Sequence, residues 1–208
     1  RLEFITFQGN EEFDRKKGKG YGEALILEYA LEHSLFVHQC DFLVKITGRL
    51  KLLNVNSMIG FHRYILPHCD IQSEMDRRER YSDSRMLITD KGFLQHSFLA
   101  RKERIDDSKG CNFEHILFTS IDEQKDFVFY PFLIRPLWRG ISGTNGGEYW
   151  EGNYTSLKLA YFKRMLNCMT EYNMCHPHNK PSMGVRLVLG MAGMAVGTVL
   201  RFFDWIKR

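Results

Sequence analysis

Hydrophobic and polar positions change their period several times along this chain, and each change marks an element. Leu2 to Phe7 alternates weakly and runs into Gly9-Asn10, the pattern of a short strand entering a turn. The polar stretch Glu11 to Gly20 reads as a loop. From Tyr21 the spacing turns helical: Ala24, Leu27, Leu31 and Leu35 recur three or four residues apart and predict a buried face, with Glu28 and Glu32 on a solvent stripe. Glu23 falls in the first turn, where the helix dipole favours a carboxylate. Asp41 to Thr47 is then a nearly continuous apolar run, as expected of a strand covered on both faces. Strand, loop, helix and strand in that order imply a right-handed crossover and an α/β domain built on a mostly parallel central sheet.

Period-two geometry puts Leu43, Lys45 and Thr47 on one face of that strand and Phe42, Val44 and Ile46 on the other. Lys45 therefore enters a layer where a lone ammonium is costly, and it calls for an anionic partner, either Glu23 or a bound phosphate. Residues 61–83 are polar and irregular and read as a surface excursion over the site. Arg85 to Ile88 predicts a strand, Thr89-Asp90 caps a short helix through Phe93, Leu94, Phe98 and Leu99, and Asn112 caps another carrying Glu114 to Phe118. Phe127 to Ile134 is an apolar strand that Pro131 confines to an edge or bulge. Gly140 to Gly147 holds four glycines in eight residues and is a loop. Tyr149, Trp150 and Tyr154 lead from it into an amphipathic helix through Leu157, Ala160, Tyr161, Met165 and Leu166. The fourteen uncharged residues Leu187 to Leu200 fall short of the roughly 20 that span a bilayer, so residues 183–208 predict an interfacial or partner-packed helix. Gly190, Gly193 and Gly197 would line one of its faces.

Composition narrows the classes. The 208 residues suffice for one well-buried domain, assigned to 1–182, with 183–208 as a terminal helix. At 44% hydrophobic and 26% charged residues, disorder is not the default. A net charge of +4, dispersed along the chain, falls short of a nucleic-acid footprint. Five cysteines without a paired spacing argue against a disulfide framework and for a reducing, cytoplasmic setting. No signal segment follows Arg1, and the amino end reads as truncated, with an earlier strand expected before it.

Chemistry concentrates in short stretches. Lys17-Gly18-Lys19-Gly20-Tyr21-Gly22-Glu23 opens a helix, and Lys45-Ile46-Thr47-Gly48-Arg49 ends a strand. Flexible backbone and fixed positive charge at those places suit a phosphorylated ligand in an open α/β sheet. With Gly140-Ile141-Ser142-Gly143-Thr144-Asn145-Gly146, these stretches resemble bacterial glycosyltransferase-like proteins of surface polysaccharide and lipopolysaccharide assembly, which have the GT-A, nucleotide-diphospho-sugar type of fold. The resemblance implies transfer of a sugar from a nucleotide-diphosphate donor to a glycan or lipid-linked acceptor. It implies donor contacts at Lys19, Gly20, Glu23, Lys45, Thr47, Gly48 and Arg49. Where GT-A enzymes carry a metal-holding Asp-x-Asp, this strand ends in Thr47-Gly48-Arg49. A Mg or Mn cofactor is thereby left open, and Arg49 with Lys45 or Lys19 would neutralise the diphosphate instead.

An inverting transfer needs a base for the acceptor hydroxyl. Glu114 is the first candidate, with Asp83 and Asp90 as alternates; helix capping is the ordinary role of such residues. Ser142, Gly143, Thr144, Tyr149 and Trp150 are acceptor candidates, since sugars take many small donors and aromatic faces; resting on the core is their ordinary role. His68-Cys69-Asp70 and Cys175-His176-Pro177-His178 lack the spacing of a zinc site. Arg186, Arg201, Lys207 and Arg208 add a possible peripheral membrane contact through 183–208. A non-catalytic glycan- or synthase-binding protein of the same fold is the alternative.

Overall fold

The computed structural model describes residues 2–9, 15–48, 50–66, 68–132, 134, 136–141 and 146–150. Expectations for Arg49, Ser142, Gly143, Thr144, and all of 151–208, including the helix after Tyr154 and the terminal helix, lie outside these residues. Helix α1 spans Lys19–His33 and is followed by strands β1 (Leu43–Ile46) and β2 (Leu50–Leu52), then helix α2 (Val55–Ile65). Strands β3 (Ile71–Ser73), β4 (Met75–Asp76), β5 (Tyr81–Ser82) and β6 (Met86–Thr89) come next. A π-turn segment, Phe93–Phe98, continues as 3-10 helix over Leu99–Arg104. Helix α3 (Phe113–Glu123) and strands β7 (Phe129–Pro131), β8 (Trp138–Ile141) and β9 (Glu148–Trp150) complete the described chain.

The main sheet has the order β1-β6-β3-β7. Strand β6 reads Met-Leu-Ile-Thr, is buried at every position, and pairs antiparallel with both β1 and β3. Strand β7 pairs parallel with β3. The architecture is thus mixed α/β, and among the described strands the expected mostly parallel sheet is replaced by a mixed one. The antiparallel pairing of β6 with both of its neighbours accounts for the difference. Leu2 to Phe7 forms no strand, because Glu3 accepts hydrogen bonds from Ser34 Oγ at 2.7 Å and Leu35 N at 3.0 Å, and Phe7 rests on Tyr29 at 5.2 Å between ring centroids. That segment straps the turn after α1, where Glu3 takes up the backbone N–H groups of Leu35 and Phe36 that lie beyond the helix.

Alternation along β6 divides the core. Leu87 joins Ala24 and Leu31 of α1, Phe113, Ile116 and Leu117 of α3, and Phe93 and Phe98 on one side of the sheet. Met86 and Ile88 meet Met58 of α2, Phe132 and Trp138 on the other. Fully burying each of Phe93, Phe98, Phe113 and Phe129 contributes about 1.5–3 kcal/mol. In β1, Leu43 packs with the first cluster and Phe42 and Val44 with the second, so the face assignment from the sequence holds.

Elsewhere the sequence reading needs correction. Residues 61–83 are no surface excursion: they hold the end of α2, the buried strand β3 and the β4–β5 hairpin. Gln72 and Ser73 disguise β3 as polar, yet each is satisfied internally, by His62 Nδ1 at 3.0 Å and by Ser82 Oγ at 2.8 Å. Leu35 lies beyond α1 and is 70% exposed, so it takes no part in the helix's buried face. The caps are where the sequence placed them: Asp90 Oδ1 accepts from Phe93 N at 3.3 Å, and Asn112 Oδ1 accepts from His115 N at 3.0 Å. Strand β7 sits at the sheet edge, in keeping with Pro131. Among the described residues no helix is long and apolar enough to cross a membrane.

Candidate functional site

The carboxyl end of β1 is where the candidate residues gather. Lys45 stands opposite Leu87 of β6 and so faces α1 and α3. Its ammonium, on a side chain only 9% exposed, forms an ion pair with Glu23 of α1 and donates to the Ser84 carbonyl and, at 3.3 Å, to Thr47 Oγ1. The Phe113 ring lies 5.3 Å beneath it. Of the two partners the strand pattern allowed, the internal carboxylate is the one in place.

Glu114 enters from the first turn of α3, positioned by the Asn112 cap, and its Oε1 accepts from Ser84 Oγ at 2.6 Å. Ser84 therefore bridges the Lys45–Glu23 pair and the Glu114 carboxylate, through its carbonyl to Lys45 and through its hydroxyl to Glu114. Asp83 is tied to its neighbour. Its carboxylate accepts from Arg85 N at 2.8 Å and from Arg85 Nε, and pairs with the rest of the guanidinium, which lies 5.9 Å from the Trp138 ring. The Asp83 carboxylate is thus engaged by Arg85, and that of Glu114 by the Ser84 hydroxyl. Asp90 serves as the cap of the segment from Phe93.

Beyond β1 the backbone turns. Thr47 N donates to Arg85 O at 2.9 Å, and Leu50 N donates to Thr47 O at 3.3 Å. Strand β2 then pairs with β8, Leu50 opposite Gly140, which sets the Thr47–Leu50 turn beside Gly140; Gly140 and Ile141, expected in a loop, end strand β8 instead. Tyr149 and Trp150 hold the β9 positions opposite Gly140 and Arg139. A Cβ added at Gly48 meets nothing within 4 Å, so open space adjoins this turn.

The first glycine-rich stretch has a different role from the one its composition suggested. Helix α1 begins at Lys19, ahead of the Tyr21 start read from the sequence, and Gly20 N donates to Asp107 Oδ2 at 3.1 Å. An internal carboxylate thus takes the anion seat of the helix dipole. Gly18, at φ 88°, and Gly20 make room for it: a Cβ would come within 2.3 Å of Asp107 at the former and 2.9 Å at the latter. Lys17 and Tyr21 both bind Glu103, at 2.6 and 2.8 Å, and hold its carboxyl below the usual range. Lys19 is exposed at the helix start.

Ser84 and Arg85 were not singled out from the sequence; the signal available was Asp83-Ser84-Arg85 placed immediately before the buried strand β6. His68, Cys69 and Asp70 form no metal set. Cys69 Sγ donates to Ile71 O at 3.1 Å, burial pushes its thiol up, and Asp70 accepts from Val128 N at 2.7 Å. Among the described residues no group of three or more His, Cys, Asp or Glu is arranged to hold a metal ion.

No known family model matches the chain, and neither curated proteins nor solved structures return a match.

Proposed function

We propose that this chain transfers a sugar from a nucleotide-diphosphate donor to a glycan or lipid-linked acceptor of surface polysaccharide synthesis, on a fold of GT-A type. The observation that carries the reading is convergence. Three stretches far apart in sequence meet around the end of β1, through the Glu23–Lys45 pair and the Leu50–Gly140 pairing, with Glu114 beside them. In the proposed step Glu114 takes the acceptor hydroxyl proton as that oxygen attacks the anomeric carbon, and the nucleoside diphosphate departs with the bonding pair. Ser84 orients the carboxylate. Lys45 holds Glu23, and the exposed Lys19, with Arg49, faces the diphosphate. Thr47 and Gly48 border the donor; Ser142, Gly143, Thr144, Tyr149 and Trp150 attend the acceptor.

A second reading, a non-catalytic glycan- or synthase-binding protein, draws on the occupancy of two cationic features: Lys45 by Glu23, and the start of α1 by Asp107. Thermal-shift titration with UDP-, GDP-, CMP- and dTDP-sugars, with and without Mn, followed by a transfer assay on the ligand that binds, separates the two. Stabilisation by one sugar nucleotide, and turnover abolished in Glu114→Gln, is expected. Oligosaccharide binding without any response to nucleotide sugars overturns the transferase reading.

A further inference from the structure

Of the two charges paired at the end of β1, the carboxylate is the one that can leave. The Lys45 side chain is 9% exposed and that of Glu23 36%, so Glu23 stands on the water side of the pair. Withdrawn from it, Glu23 returns to a solvent that stabilises its charge. Lys45 is anchored instead. The Phe113 ring lies 5.3 Å away, and the ammonium donates to Thr47 Oγ1 at 3.3 Å and to the Ser84 carbonyl. Two of its three protons thus go to neutral oxygens, and the charge is balanced through Glu23. A cation fixed by neutral groups and balanced by a movable carboxylate can change anions. The surroundings suit a larger one. The turn at Gly48 borders open space. Lys19 is exposed and lies one turn before Glu23 on the same face of α1. Asp107 already accepts from Gly20 N at the start of that helix, so a ligand here would be gripped by side-chain cations rather than by the helix end.

We propose that Glu23 is a built-in competitor for an anion site at Lys45: it closes the site when no ligand is bound, and a diphosphate displaces it. One phosphate then takes the Lys45 ammonium and the other reaches Lys19. Side chains one helical turn apart stand about 5–6 Å from each other at Cβ, so two linked phosphates match the Lys19 and Glu23 positions better than a single one does. The exchange sets affinity. While Glu23 fills the site the competent fraction is small, and apparent affinity falls by that fraction. This deepens the transferase reading, and it rests on that reading only in taking the diphosphate to be the donor's.

The test is isothermal titration of the full chain with inorganic pyrophosphate, without divalent metal. Glu23→Gln, which keeps the side chain's size and removes its charge, should bind at least about tenfold more tightly than the unaltered protein. Adding Lys45→Met should abolish that gain. Glu28→Gln, which makes the same charge change in the α1 ion pair with Lys102, should leave affinity where it was. Circular dichroism checks folding; if Glu23→Gln unfolds, Glu23→Asp, one methylene shorter, reports the same gain at smaller size. The proposal is overturned if pyrophosphate binds neither the unaltered chain nor Glu23→Gln, if Glu23→Gln binds no more tightly, if Glu28→Gln gains as much, or if the gain survives Lys45→Met. Equal affinities beside measurable sugar transfer remove the exchange alone. The expected affinities without any sugar transfer remove the transferase reading and leave the exchange in place.

Discussion

At the scale of single residues, the Glu23–Lys45 pair is asymmetric, and the asymmetry can be measured. The Lys45 side chain is 9% exposed, whereas that of Glu23 is 36% exposed. Glu23→Ala strands an ammonium in a nearly dry layer, and we expect a cost of about 3 kcal/mol. Lys45→Met leaves a carboxylate that water still reaches, and a loss of about 1 kcal/mol or less is expected. Urea unfolding of both variants decides this: equal losses would mean that the Ser84 carbonyl and Thr47, rather than Glu23, hold Lys45 in place. The neighbouring carboxylate gives a kinetic contrast. If Glu114 is the base, Glu114→Gln lowers turnover at least about 100-fold while donor affinity stays level. Ser84→Ala, which only frees the carboxylate to rotate, should lower turnover less and leave the pH profile of the reaction in place. A loss of donor affinity in Glu114→Gln would instead make it a binding residue.

At the scale of elements, the glycine-rich start of α1 is a seat for the turn at Asp107, and three glycines should respond differently. Gly18→Ala meets both a φ of 88° and the Asp107 side chain, so a thermal destabilisation equivalent to at least about 1–2 kcal/mol is expected. Gly20→Ala strikes Asp107 and the backbone of Phe113 and should also cost stability. Gly48→Ala meets open space and should leave melting unchanged; any effect it has belongs to ligand binding. From the sequence alone all three read as parts of a phosphate loop, since glycines that admit a ligand and glycines that admit an internal carboxylate look the same. What was legible follows local rules: the two faces of β1, the Asn112 and Asp90 caps, and the edge position that Pro131 requires. What was hidden depended on distant partners. Strand β3 was masked by Gln72 and Ser73, whose polarity is cancelled by His62 and Ser82. Leu2 to Phe7 lost its strand to a carboxylate that binds the turn after α1, a contact no periodicity records. Glu23 as the partner of Lys45 was one of the options the strand pattern left open, and only the packing of α1 on the sheet chooses it.

At the scale of the whole molecule, α2 is joined to the main sheet partly through one titratable group, so the joint should respond to pH. His62, 5% exposed, bonds Gln72 of β3 at 3.0 Å and packs edge-on against Phe42 at 4.7 Å. Burial lowers its pKa below the ordinary 6.5, against opposing contributions from Gln72 and from Asp70, the charged group that acts on it. The unfolded chain therefore takes up a proton near pH 6.5 that the folded chain refuses until lower pH. Stability from the neutral imidazole is complete above pH 6.5 and is lost as pH falls below it, with a slope of at most about 1.4 kcal/mol per pH unit. A second acid limb has another origin. Glu3, Glu103 and Asp106 are held below their ordinary ranges by Ser34, Lys17 and Lys109 respectively, Asp106 at about 2, so their contribution is present above about pH 4.5 and fades below it. Urea midpoints between pH 8 and pH 3 should thus fall in two steps, roughly, as these windows predict. In His62→Gln the upper step should vanish while the lower one stays, because the amide keeps a polar contact to Gln72 without titrating. An upper step that survives the substitution would mean that another titrating group produces it, with the imidazole no more than a passenger in the core.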